Sequence, residues 1–283
     1  MRYGGFVAVL APVFASALAL GISGCGSKDP GPAPGASVAA ETQAPPVAAP
    51  ASPAAPPPVP AGRAEKEENE VYSFAYSYPG AAAAIPALRD ILDRQLEADR
   101  SDLVSSARSG KAEAEKDGFP YHAYERQTDW KVVTDLPDWL SLSSQHYEFS
   151  GGAHGMTVSD SLLWDRRAQV ARKPAELFAS QDALRAAIQA PFCAGLDKER
   201  ARKRGGPVEQ GSGQMFSECI DPTASTLILG STGHAAFDRI GILVAPYEAG
   251  PYAEGSYEVT LPVTDKIVAA LKPQYRAAFS VRR

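Results

Sequence analysis

Two glycine-rich stretches hold the side chains best suited to chemistry or recognition. Gly151-Gly152-Ala153-His154-Gly155 sets a histidine among residues that accept positive φ and leave the ring open to approach. Pro246-Tyr247-Glu248-Ala249-Gly250-Pro251-Tyr252-Ala253-Glu254-Gly255 carries two tyrosines in a turn-rich segment. A catalytic His154 needs an orienting carboxylate and a nucleophile or metal. Glu176, Asp160 and the loop tyrosines are the candidates for those roles. A histidine can equally bond backbone and lock its own loop. In a binding surface, Tyr247 and Tyr252 would each offer a rigid face with a polar tip, and His154 would join them; the same rings packed inward would only hold the turn.

Other catalytic constellations are missing. Gly230-Ser231-Thr232-Gly233-His234 is not Gly-x-Ser-x-Gly and lacks a strand–turn–helix setting. His122 and His146 read as isolated, partly buried strand residues. No His-Glu-x-x-His, phosphate loop, calcium loop or dinucleotide fingerprint occurs, so neither a metal nor a cofactor is expected. Trp130, Trp139 and Trp164 could line a groove, although core packing is the simpler reading.

Of three cysteines, Cys193 and Cys219 stand 26 positions apart. In an oxidising compartment they are expected to form a disulfide, the alternative being two thiols too distant to bond. Without Cys-x-x-Cys or a nearby histidine cluster, they suit neither zinc nor a redox pair. The third, Cys25, follows an N-terminal segment of export character. Met1-Arg2 is a short positive start, and the apolar run Phe6 to Leu20 is shorter than the roughly 20 residues of a membrane-spanning helix. Ile22-Ser23-Gly24-Cys25 resembles a bacterial lipobox, which implies lipidation of Cys25, a mature N-terminus there and a membrane as partner; the alternative is a plain secretory signal. Gly26 and Ser27, with no Asp after the cysteine, are similar to lipoproteins sent to a Gram-negative outer membrane, here facing the periplasm. From Pro30 to Pro60, 11 of 31 residues are proline, the composition of a semi-rigid polyproline spacer. The charge run Glu65 to Glu70 reads as its solvated end. The whole chain carries 28 Lys+Arg against 33 Asp+Glu, a net charge of −5, which argues against nucleic acid as a partner.

The elements that must position these residues begin near Val71. Tyr72, Phe74, Tyr76 and Tyr78 alternate with smaller residues, the period of a strand whose aromatic face is core or, less simply, a sugar-stacking surface. Ile85, Leu88, Ile91, Leu92 and Leu96 have helical spacing, and a helix is expected over about 84–108. Strands are expected between Tyr121 and Phe149 with a turn at Leu136-Pro137-Asp138, and again over Thr157 to Trp164. Ser180 is placed to cap a helix carrying Leu184 and Ile188. The basic run Lys198 to Arg204 is either a solvated helix end or an anion- or partner-binding patch. Strands over 226–229, 237–244 and 256–261 and a closing helix over 264–271 complete an α+β fold with antiparallel sheets and packed helices.

Three motifs in order carry a resemblance. They are Leu140-Ser141-Leu142 leading into Tyr147-Glu148-Phe149-Ser150-Gly151-Gly152-Ala153-His154-Gly155; Ala175-Glu176-Leu177-Phe178; and the Pro246–Gly255 stretch followed by Val259-Thr260-Leu261-Pro262. Together they resemble the paired extracytoplasmic modules of lysozyme-sensing anti-sigma factors and of the non-catalytic part of certain peptidoglycan deacetylases, over about residues 70–275. The likeness extends to neither the anti-sigma segment nor the deacetylase catalytic domain, and neither activity is expected. With the export segment read as a signal peptide over 1–24 and the proline-rich stretch as a tether over 25–69, the likeness implies one body of two similar-sized α+β modules, 70–155 and 156–283. It further implies a binding module, not an enzyme, that recognises peptidoglycan or a wall-active protein such as lysozyme through His154, Tyr247 and Tyr252. The alternative is an envelope hydrolase with its site around His154 and Glu176.

Overall fold

A computed structural model describes residues 60–208, 211 and 213–281. Cys25, the export signal and nearly all of the proline spacer lie outside the described residues. The first strand, β1 (Arg63–Glu68), is built from the charge run read above as solvated. Its alternating half-buried and exposed residues pair antiparallel with β2 (Tyr72–Tyr78), and Arg63 reaches Asp93 at 2.7 Å. Its many charged residues are compatible with an edge strand whose outer face meets water. The folded body therefore starts before Val71.

On β2, Phe74, Tyr76 and Tyr78 are buried, so this aromatic face is core. After a short turn of helix, α1 (Gly80–Ala83), comes α2 (Pro86–Asp117). Proline at its first turn suits a helix start, and left-handed Gly118 closes it. The helix runs nine residues past the expected end at Arg108, because Ala and charged residues with an i,i+4 pair, Lys111–Glu115, sustain it without apolar periodicity. It buries Leu88, Leu92, Leu96, Leu103 and Ala107 against the sheet and returns the chain so that β3 (Tyr124–Asp135) pairs parallel with β2. The remaining neighbours, β4 (Trp139–Phe149), β5 (Met156–Asp165) and β6 (Val170–Arg172), are antiparallel, giving a six-stranded sheet in sequence order. The expected boundary between residues 155 and 156 thus falls in the β4–β5 turn of one continuous sheet. His122, read as a strand residue, lies ahead of β3 and is exposed.

The second half supplies α3 (Gln181–Arg204), capped by the Ser180 hydroxyl accepting from the Ala183 amide at 3.0 Å. It also supplies the three-stranded antiparallel sheet β7 (Thr226–Gly230), β8 (Arg239–Val244) and β9 (Tyr257–Pro262), followed by α4 (Asp265–Ala270). The fold is α+β, with two hydrophobic cores. One lies between α2 and the first sheet and includes Trp130 and Trp164. The other gathers Ile188 and Leu196 of α3 with Ile240, Val259 and Ile267, and takes Trp139 and Leu163 from the first sheet. All three tryptophans are core. Among the described residues, no helix is long and apolar enough to cross a membrane.

Candidate functional site

The β4–β5 turn carries His154, and the β8–β9 loop carries Tyr247 and Tyr252. In the fold these two segments meet. The Tyr252 ring stacks on the His154 imidazole with centroids 3.8 Å apart and planes 18° from parallel. The Tyr247 ring stands 5.6 Å from that of Tyr252, so three rings form one cluster. His154 and Tyr247 are exposed and Tyr252 is half-buried.

The hydrogen bonds define the tautomer of the neutral imidazole. His154 Nδ1 lies 2.9 Å from the Gly155 carbonyl oxygen, which only accepts, so Nδ1 carries the proton. Nε2 is then the acceptor for the Tyr247 hydroxyl at 3.2 Å. The Gly155 carbonyl accepts a second bond from the Tyr252 hydroxyl at 2.8 Å. Both imidazole nitrogens are therefore engaged, and no carboxylate is among their partners. Asp160 pairs instead with Lys173, and Glu176 accepts from the Lys173 amide at 3.2 Å. The structure thus brings together the three residues expected to bind and gives the two carboxylates other partners. No group of His, Cys, Asp and Glu among the described residues is arranged to hold a metal.

Local backbone explains the positions. Gly155 is buried beneath the Tyr147 ring, which leaves no space for a Cβ. Tyr247 adopts φ +70°, a conformation that bulky L residues rarely take, and it does so at the residue whose hydroxyl meets His154.

The β8–β9 loop is held from behind by the end of α3. Arg200, with no exposed surface, donates from Nε to the Ala249 carbonyl at 2.9 Å and from Nη2 to the Glu218 carbonyl at 2.9 Å. Arg204 forks onto Glu254 at 2.9 and 3.0 Å and holds that carboxyl below its ordinary range. Lys203 donates to the carbonyls of Glu254 and Ser256 and sits 4.0 Å over the Tyr257 ring. The basic run is neither a bare solvated end nor a free anion patch; it braces the loop that presents Tyr247 and Tyr252. This role is not visible in the run by itself. Its i, i+3, i+4 cations and the acid at Glu254 are the signals that could have suggested it.

Cys193 and Cys219 form the expected disulfide, with Cα atoms 5.5 Å apart. Gln189 Nε2 donates to both sulfurs at 3.3 Å and to the Ile220 carbonyl at 2.9 Å. The bridge ties the strand-free segment after α3 back to that helix, next to the Ser217 and Glu218 carbonyls that Arg200 holds.

Residues 65–157 match a family model described as Deacetylase PdaC. That span runs from β1 into β5 and includes the turn of His154. Among solved structures, the chain is similar to a DUF3298 family member from Bacteroides fragilis, at 16% identity and a TM-score of 0.43, covering 75% of this chain and 96% of that one. It is also similar to a DUF3298 family protein from Pseudomonas aeruginosa, at 16% identity and a TM-score of 0.43, covering 80% of this chain and 98% of that one. No curated protein matches.

Proposed function

We propose that this chain is a cell-envelope binding module, held to a membrane by lipid on Cys25, that recognises peptidoglycan or a wall-active protein such as lysozyme. The observation that carries this reading is the cluster of His154, Tyr252 and Tyr247: three rings from segments some 93 residues apart, exposed on one side and braced on the other. A pre-ordered aromatic surface loses little entropy on contact, an advantage that recognition surfaces use. Its imidazole has both nitrogens occupied and no carboxylate beside it, which suits binding better than general-base catalysis. The match of residues 65–157 to a model named for a deacetylase supports a setting near the cell wall. The disulfide suits an oxidising compartment. The lipobox-like tetrad and proline spacer support a site of work between an outer membrane and the wall, facing the periplasm.

The test is co-sedimentation of the full chain with purified sacculi, paired with titration of lysozyme, each repeated with His154→Ala and Tyr252→Ala. The reading expects binding to one of the two baits, weakened by both substitutions without loss of melting temperature. Retained binding in both variants removes the cluster from the function. Mass spectrometry of membrane-extracted protein tests the anchor, since an unmodified N-terminus downstream of Cys25 excludes it.

A further inference from the structure

Opposite α2, the first sheet presents a face that its aromatic core does not use. Two cavities lie along it, a third continues over the three-stranded sheet, and neighbours share walls. One, of about 430 Å³, is lined by Gln127, Asp129, Gln145, Tyr147 and Thr157. The next, of about 280 Å³, shares Asp129 and Gln145 with it and adds Ser143, Ser159 and Glu258. The third, of about 210 Å³, shares Ile228 and Glu258 with the second and ends at Val133. The result is a continuous trough. Along β3, from Gln127 to Val133, it spans about 20 Å at the usual rise of a strand.

We infer that this trough binds a neutral glycan chain. The inference rests on the envelope-binding reading above for its setting, and it names the ligand class and a second contact surface. Four features support the assignment. First, the middle of the trough is floored by strands β3, β4 and β5, each hydrogen-bonded on both edges, while β1 and β2 line one end and β7 to β9 the other. An extended peptide cannot add as a strand to that middle part, so recognition there falls to side chains. Second, the uncharged polar side chains along it are amides and hydroxyls. Gln145, Thr157 and Ser159 use none of their side-chain hydrogen-bonding capacity within the described residues, and they offer donors and acceptors at the spacing of neighbouring strands. Sugar hydroxyls match that mixture.

Third, the charges leave no net attraction for a polyanion. Lys131 pairs with Asp129 at 3.0 Å, Lys66 with Glu68 at 3.2 Å and Arg239 with Asp238 at 3.3 Å, while Glu258 adds a carboxylate to the wall. Fourth, Tyr147 lines the trough with its ring against Gly155, whose carbonyl is held by His154 and Tyr252. Tyr147 thus links that end of the trough to the aromatic cluster through Gly155, and a chain lying in it would run toward that surface.

The experiment is calorimetric titration of the full chain in detergent with a soluble tetramer of β-linked N-acetylglucosamine. It is repeated with the double variant Gln127→Ala/Gln145→Ala, with Ser159→Ala and with His154→Ala. A heparin oligosaccharide and an extended polar peptide of the same length serve as competing ligands. The expected result is saturable binding of the tetramer that falls by about tenfold or more in the glutamine double variant, less in Ser159→Ala, at an unchanged melting temperature. Binding of heparin or the peptide in preference to the tetramer overturns the assignment. So does a tetramer that fails to bind, or one whose affinity depends on His154 but not on the two glutamines. The two readings separate cleanly: sacculi or lysozyme bound through His154, with no tetramer binding, leaves the binding module standing and removes the trough. Tetramer binding lost with the glutamines, with sacculi and lysozyme both unbound, does the reverse.

Discussion

Arg200 Nε donates to the Ala249 carbonyl across 2.9 Å, from a side chain with no exposed surface. One guanidinium thus joins the last turns of α3, the loop bearing Tyr247 and Tyr252, and the segment that follows the helix, through Ala249, Ser217 and Glu218. Arg200→Met removes the cation, takes the donor from the Ser217 and Glu218 carbonyls and leaves the Ala249 carbonyl with only Arg204 Nη2 at 3.4 Å, and the expected loss is on the order of 3 kcal/mol in urea denaturation. Arg200→Lys should recover less than half of it, because a point charge cannot reproduce a planar fork. Amide exchange over 246–255 should quicken in both variants. Unchanged exchange there would show that the loop is held by other contacts.

The disulfide is expected to matter through the unfolded chain. Closing 26 residues between Cys193 and Cys219 corresponds to about 3.5 kcal/mol in the chain-entropy model. The paired substitution Cys193→Ala/Cys219→Ala should lower stability by about that amount without altering the bonds among His154, Tyr247 and Tyr252, which lie on other segments. Equal unfolding midpoints for the oxidised and reduced wild-type protein would contradict this.

Why some of this is legible in the chain and some is not follows from range. The aromatic alternation of Tyr72 to Tyr78 and the hydroxyl of Ser180 are local signals, and the strand and cap they specify are present. The C-terminal extension of α2 escapes such a reading because its last turns carry charge and alanine, so nothing apolar marks their period. β1 is hidden for a related reason: an edge strand rich in Glu, Lys and Arg resembles a solvated linker until β2 is there to pair with it. His154, Tyr247 and Tyr252 stand out for their loop chemistry, while their stacking depends on a meeting of two distant segments. The trough is a property of tertiary structure alone, since Gln127, Gln145 and Thr157 become neighbours only through the register of β3, β4 and β5.

Tyr247 gives a test of backbone strain. At φ +70° an L residue is disfavoured by about 1 kcal/mol or more relative to glycine. Tyr247→Gly and Tyr247→Ala both remove the ring and its bond to His154, yet only glycine fits the left-handed backbone freely. Tyr247→Gly should therefore be the more stable of the two by about 1 kcal/mol, after allowing for the greater freedom of glycine in the unfolded chain. Both should weaken ligand binding equally. Equal stabilities would mean that the loop relaxes out of the left-handed conformation once the ring is gone.

His146 sets a pH dependence whose sign can be worked out. Its ring is half-buried on β4, 3.0 Å from the Thr128 hydroxyl and 2.7 Å from that of Ser144, and burial pushes its pKa below the ordinary value. The facing carboxylates of Asp160 and Asp99 oppose that shift, and Lys173 and Arg126 reinforce it. Below the ordinary histidine value of about 6.5 the unfolded chain therefore takes up a proton that the folded chain resists. Stability is full above that value and falls as pH drops toward the depressed folded pKa. Half-buried Asp99 has the opposite linkage, since burial raises its pKa and the folded state holds its proton more readily. Denaturation midpoints measured between about pH 7 and pH 5 should decline in the wild-type protein. His146→Gln, which can still bond to Thr128 and Ser144, should flatten that decline, whereas Asp99→Asn should leave it in place or steepen it. A slope that survives in His146→Gln would assign the titration to another group.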